Sequence, residues 1–331
     1  MLIKDIGEQG LLRILQKFCP AEIVGDDCAV MATNPNQSLA ITTDMLVDGV
    51  HFSDRTTGPY YAGWRAAAAN LSDLAAMGAR PLAVTVALAV SADTAVEWVE
   101  EFYRGMTACL QEYDTPIVGG DVVRSPVVTV AITAFGEVEC DRTISRSKAR
   151  SDWAIVATGV HGASRAGLEL LLNPEFGQNL TEVDRASLIL AHQRPKPRLD
   201  VLSVVWEILD SAGEFSIAGM DSSDGLADAI IQICRASGVG AKVDRTKIPI
   251  PHIFSEIVST EKALDWALYG GEDFELVLFL PIANAQLLVE QIGDGAAIVG
   301  IATDSTDIWL TDSSGIYPDL VLKVDRGFQH F

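Results

Sequence analysis

Apolar residues Leu11, Leu12, Ile14, Leu15 and Phe18 recur at helical spacing within residues 5–18 and stop before Pro20, so the chain is predicted to open on a helix. Two short β-rich runs follow, at 27–31 and 38–43, and then a Gly/Asp/His loop. An Ala-rich helix is opened by Pro59 and stopped by Gly78. A strand at 82–90, a helix at about 93–112, a short strand ending in Gly119, Gly120 and Asp121, and a strand at 127–135 complete a half in which strands and helices alternate. The polar run 141–152 has no apolar periodicity and reads as a linker. From Trp153 an apolar strand, WAIVATG, begins a second alternating series that reaches the C-terminus. The pattern predicts an α/β fold in two domains, 1–149 and 150–331, without a repeat or a low-complexity tract.

Composition narrows the partners. The 331 residues are 49% hydrophobic and 21% charged, enough apolar surface for a sizeable core. Asp and Glu outnumber Lys and Arg 45 to 24, a net charge of −21, which argues against binding nucleic acid or an anionic membrane. The acids comprise 27 Asp and 18 Glu, a bias that suits turns, caps and hard-cation ligation better than helix surfaces. Five widely spaced cysteines without a CxxC pair read as reduced thiols. The start MLIKDIGEQG lacks the features of a secretory signal, and the longest apolar stretch, 82–90, is about half a membrane span. A soluble cytoplasmic protein is expected.

The acids recur beside Gly, Ser or Thr in six motifs: GDDCAV (25–30), TTDMLVDGVHF (42–52), NLSDLAAMGA (70–79), VGGDVV (118–123), GMDSSDGL (219–226) and YGGEDFEL (269–276). Each alone has an ordinary reading. Asp26 and Asp27 suit a turn, Asp44 a strand end, Asp73 a solvated helix face, Asp121 a glycine turn, and Asp224 or its neighbouring serines a helix N-cap. Six together at predicted element ends favour a carboxylate site for hard cations, since Mg²⁺ takes oxygen ligands and is held by one or two carboxylates with waters and phosphates. His51 reads as a substrate contact or a structural histidine, Arg146 as a phosphate-binding or a solvated arginine, and Phe328 as core or as the wall of a ring-binding pocket. No P-loop, dinucleotide fingerprint, nucleophile elbow or HExxH motif is present in the sequence.

Together, in this order, the motifs resemble those of the thiamine-monophosphate kinase family, within the aminoimidazole-ribonucleotide-synthetase-like superfamily of ATP-dependent enzymes. The resemblance spans essentially the whole chain. It implies a two-domain α/β (α+β) fold, with an N-terminal sheet-forming dimerisation domain that binds ATP and Mg²⁺ and a C-terminal α/β domain that closes the active site. It also implies a homodimer, several Mg²⁺ ions, and transfer of the ATP γ-phosphoryl group to thiamine monophosphate. By position, Asp27, Thr42, Thr43, Asp44, Asp73, Asp121, Asp221 and Asp224 match the metal-binding places. Tyr103, Gly120, Asp121, Arg146 and Ser223 match the ATP contacts, and His51, Glu272 and Phe328 the thiamine-phosphate contacts. No residue is expected to act as a general base; Arg146 and His51 are expected to stabilise charge. Two departures stand out: Ser222 replaces a common aliphatic residue, and SKARSDW lacks a Pro-Gly pair often found before its Asp. Rival readings are another synthetase of the superfamily, a metal-dependent phosphohydrolase and a non-catalytic nucleotide-binding protein.

Overall fold

The computed structural model describes residues 1–20, 33–213, 216–293 and 295–323. It divides into two units, the first comprising Met1–Leu74 with Ala79–Cys140, the second Ala75–Gly78 with Asp141–Phe331. Among the described residues no helix is long and apolar enough to cross a membrane.

The first unit runs α1 (Ile3–Leu15), β1 (Gln37–Val47), α2 (Pro59–Ala76, whose last two residues belong to the second unit), β2 (Arg80–Val90), α3 (Val96–Gln111), β3 (Ile117–Arg124) and β4 (Thr129–Glu139). Its strands form one sheet in the order β1-β4-β2-β3, with only the β2–β3 pair parallel. Pro59 stands at the first helical position of α2, where its missing N–H costs nothing. Small residues then let α2 and α3 meet backbone to backbone. A Cβ on Gly63 would overlap the carbonyl of Phe102, and one on Gly105 would overlap that of Tyr60. Sheet burial alternates: Val86, Leu88, Val130, Ile132 and Ala134 are buried, whereas Leu39, Ile41 and Met45 on β1 are 49%, 60% and 56% exposed.

In the second unit follow β5 (Ala154–Ala157), α4 (Ala163–Leu172), α5 (Glu182–Gln193), α6 (Leu199–Ala212), β6 (Ala218–Asp221), α7 (Leu226–Ser237), β7 (Gly240–Asp244), α8 (Phe254–Ile257), α9 (Thr260–Tyr269), β8 (Leu276–Leu280), α10 (Ile282–Ile292), β9 (Ala297–Thr303), β10 (Ile308–Thr311) and β11 (Leu320–Val321). The strands order as β11-β10-β7-β9-β5-β8-β6. Alternate residues serve two cores: Ile155, Val277 and Phe279 pack with α7, while Val156, Leu276 and Leu278 pack with α6 and α10. A third cluster joins α4, α5, α8 and α9 around Phe254 and Trp266.

Several boundaries correct the sequence reading. Gly120 and Asp121 lie inside β3, which continues to Arg124. Thr42, Thr43 and Asp44 lie in the middle of β1. The polar run after Cys140 is no free linker: Ile144 is fully buried, its N–H donates to Met77 O, and Lys148 Nζ donates to Thr143 O at 2.5 Å. A single buried isoleucine gives no periodicity to detect. The strand expected at 27–31 lies outside the described residues.

Candidate active site

In the first unit, β1 and α2 bring four polar residues together. Thr42 and Asp44 sit two apart on β1 and so share a face, while Asn70 and Asp73 sit three apart on α2 and face the same way. The Thr42 hydroxyl donates to Asp73 Oδ2, and the Asp44 N–H donates to Asn70 Oδ1 at 3.2 Å. Asn70 is fully buried and its amide donates to Ala66 O at 3.0 Å, so it straps β1 to the helix. Thr43 points its hydroxyl to Thr133 on β4, 2.8 Å away.

Asp121 is not part of this group. Asp44 pairs with Ile132, Ile132 with Val86, and Val86 with Gly120, so Asp44 and the Gly120-Asp121 pair occupy opposite edges of the sheet. Three interstrand steps of about 4.8 Å separate those edges, roughly 14 Å.

His51 follows β1 in a tight turn. Its Nδ1 accepts from the Val47 N–H at 3.0 Å, and its carbonyl accepts from the buried Arg65 at 2.8 Å. A neutral His51 therefore carries its proton on Nε2. Tyr103 on α3 is buried, with ring centroids 5.4 Å from Phe18 and 6.1 Å from Phe102. Burial pushes its hydroxyl well above the ordinary tyrosine range.

The second unit zips the two remaining acidic motifs together. The Glu272 N–H donates to Ser223 O at 2.7 Å, and the Ser222 N–H donates to Glu275 O at 2.8 Å. Asp221 ends β6, buried, and its Oδ1 accepts from the Ser223 hydroxyl at 3.0 Å. Asp224 is exposed and makes no helix cap. The N-cap of α7 is Gly225, whose N–H turns back to Ser222 O at 2.9 Å and leaves Asp224 outside the helix. Arg146 reaches α7, donating to Gln232 Oε1 at 2.7 Å.

The loop carrying Glu272 is strained. Glu272 and Phe274 adopt φ of 68° and 53°, the left-handed region, on either side of the half-buried Asp273. Burial pushes Asp273 up to about 7, against the pull of the Ser164 and Gly162 N–H groups that donate to it at 2.8 and 2.6 Å. Glu272 keeps 35% of its side chain exposed.

Sequence reading missed Asn70, His161, Arg198 and Glu275 as organisers of these loops. Arg198 donates to Glu275 and to Thr158 O at 2.9 Å, fixing the end of GGEDFEL to β5 and α6. Only Asn70 and Glu275 lay within motifs where a signal could have been sought. Asp27 and Phe328 lie outside the described residues.

No group of three His, Cys, Asp or Glu side chains gathers among the described residues. The donors are nonetheless carboxylates and hydroxyls, the hard oxygen set that Mg²⁺ prefers, and Mg²⁺ needs only one or two protein carboxylates.

A family model described as AIR synthase related protein, N-terminal domain, matches residues 25–138. A thiamine-monophosphate kinase of Synechococcus elongatus is 48% identical over 330 residues, covering 99% of this chain and 98% of that protein. The thiamine-monophosphate kinase of Escherichia coli K12 is 36% identical, covering 93% and 91%. Among solved structures, a thiamine-monophosphate kinase from Stenotrophomonas maltophilia superposes with a TM-score of 0.76 at 32% identity over 86% of this chain and 88% of that one. AaThiL complexed with AMPPCP and TMP gives 0.73 at 29% identity over 97% and 98%. HypE in complex with ATP gives 0.74 at 19% identity, a likeness of fold alone. Identity of 48% sustained along nearly the full length of both proteins settles the relationship: this chain belongs to the thiamine-monophosphate kinase family.

Proposed function

We propose that this protein phosphorylates thiamine monophosphate with ATP, giving thiamine diphosphate and ADP. The observation that carries the reading is the likeness over 97% of the chain to AaThiL, a structure holding AMPPCP and TMP. The acceptor is itself a phosphate with a second pKa near 6, so its attacking oxygen is already deprotonated at pH 7 and needs no general base. The difficulty is electrostatic. Two like charges 4 Å apart repel by about 4 kcal/mol at an effective dielectric of 20, and several such pairs meet here.

Bound Mg²⁺ supplies neutralisation of the phosphate charge. Asp27, Thr42, Thr43, Asp44, Asp73, Asp121, Asp221 and Asp224 are the residues we assign to holding it. Gly120, Asp121, Arg146, Ser223 and Tyr103 are assigned to ATP, and His51, Glu272 and Phe328 to thiamine monophosphate. His51 Nε2 and the Arg146 guanidinium are donors suited to stabilising charge on oxygen. We infer direct in-line transfer, with positioning and charge as the sources of rate.

A homodimer completes this reading. The sheet of the first unit exposes Leu39, Ile41 and Met45 on one face and leaves strands β1 and β3 at its edges, a combination that marks an interaction surface. A two-fold partner that lays its β3 beside β1 would carry its own Asp121 toward Asp44, closing the gap that one chain leaves open. We place the reaction in the cytoplasm, where thiols stay reduced; among the described residues Cys19, Cys109, Cys140 and Cys234 form no disulfide.

The test is incubation with ATP, Mg²⁺ and thiamine monophosphate. Thiamine diphosphate formed one-for-one with ADP supports the proposal. Free phosphate alone points to a phosphohydrolase, turnover only with a different acceptor to another synthetase, and no turnover to a nucleotide-binding protein. A phosphoenzyme trapped from labelled ATP would overturn direct transfer.

A further inference from the structure

We propose that His192 is a positioning residue for Glu272, holding its carboxylate in the orientation that accepts the amino group of the substrate's pyrimidine. The inference rests on the reading of Glu272 as a substrate contact. The Glu272 main chain is fixed by its N–H bond to Ser223 O, 2.7 Å long, and by the anchoring of the next residue, Asp273, on the first turn of α4. Its side chain has three further torsions and is 35% exposed, so something must orient it if it is to read a ring.

His192 is placed to do so. It lies on the last turn of α5, 2% exposed, with Nδ1 3.2 Å from Ser164 Oγ and 3.7 Å from Glu272 Oε2. The α4–α5 contact is tight: a Cβ on Gly167 would overlap the Leu188 carbonyl and press on the His192 Cβ at 3.0 Å. Leu170 and Leu188 on the same two helices belong to an apolar cluster. A leucine would satisfy packing there, and burying a polar ring costs free energy that the helix pair does not need. The ring edge aimed at Glu272 is what the histidine adds.

The experiment measures KM for thiamine monophosphate and for ATP, with kcat, in His192→Leu, His192→Gln and Glu272→Gln. Loss of the 3.7 Å contact between the imidazole and the Glu272 carboxylate is expected to cost about tenfold in affinity. His192→Leu is expected to raise KM for thiamine monophosphate by about tenfold, with kcat and KM for ATP within about threefold, the signature of lost ground-state binding. His192→Gln, which keeps a donor, is expected to recover most of the loss. In a Glu272→Gln background His192→Leu should add less than about twofold, because the two residues act as one unit. An unchanged KM in His192→Leu, or its full effect persisting without Glu272, overturns the proposal while leaving Glu272 as a contact. An unchanged KM in Glu272→Gln overturns both. If His192→Leu does not fold, Ser164→Ala keeps the N–H that holds Asp273 and removes only the hydroxyl on Nδ1. It should raise KM for thiamine monophosphate alone by about threefold, and no change overturns the proposal.

Discussion

The Ser222 hydroxyl lies 3.1 Å from His161 Nε2, and both residues are completely buried. His161 Nδ1 is 3.0 Å from Gly159 O, which can only accept, so the proton sits on Nδ1 and Nε2 accepts from Ser222. A neutral imidazole thus fixes the loop that carries Asp221 and Asp224. Ser222 is used here as a donor.

This arrangement has an acid limit. Burial pushes His161 down to about 4, below its ordinary 6.5. Because the folded value is the lower one, its contribution is present above about pH 6.5 and is lost as pH falls toward 4. The full loss is on the order of 3 kcal/mol. Thermal melts from pH 7.5 to 4.5 should show wild type losing stability over this window and His161→Gln losing clearly less. Parallel losses in the two proteins would exclude His161 as the group responsible.

Asp44→Asn and Asp224→Asn should each lower kcat/KM by at least about a hundredfold at limiting Mg²⁺, with part of the loss recovered at high Mg²⁺. Chelation with EDTA should abolish turnover, and added Mg²⁺ should restore it. Near-normal kcat in either variant at subsaturating Mg²⁺ would remove that residue from the metal assignment.

The proposal that two chains share the site makes a separate prediction. Asp44→Asn and Asp121→Asn should each be inactive as homodimers. Unfolded together and refolded as a mixture, half of the dimers pair unlike chains, and each such dimer holds one intact site. About a quarter of wild-type activity should return. No recovery, with mixed dimers verified by mass spectrometry, would mean that Asp44 and Asp121 do not meet across an interface.

Gly63→Ala should destabilise the protein by roughly 1–3 kcal/mol, because the added methyl meets the Phe102 carbonyl of α3 rather than a flexible side chain. Denaturant unfolding would record it. An unchanged midpoint would show that α2 and α3 have room to part.

The sequence revealed most where one physical signal dominated. Pro59 opens α2 as expected, and the apolar run at 82–90 is a central strand. Glycine was the ambiguous letter. Gly119 and Gly120 read as a turn, yet they lie within β3, where a Cβ on Gly120 would overlap the Val86 carbonyl; close strand approach, not chain reversal, is what needs glycine there. The clustering of Thr42 with Asp73 follows from motif recognition, but the separation of Asp44 from Asp121 does not, because strand order is a property of pairing between distant segments. His161 and His192 were invisible for a similar reason. Each acts on a residue at least 61 positions away, and nothing in its neighbours along the chain advertises that partner.

Glu272 and Phe274 hold left-handed backbone angles on either side of Asp273. For a side chain longer than Asn, that conformation costs on the order of 1 kcal/mol, a strain that Gly or Asn at position 272 would relieve. Selection for a sturdier fold acting alone would therefore drift this loop away from glutamate. Its presence marks a trade in which folding stability is given up to aim an acid outward from a buried frame, and random variants screened only for heat resistance should be enriched in changes at Glu272 that are poor enzymes.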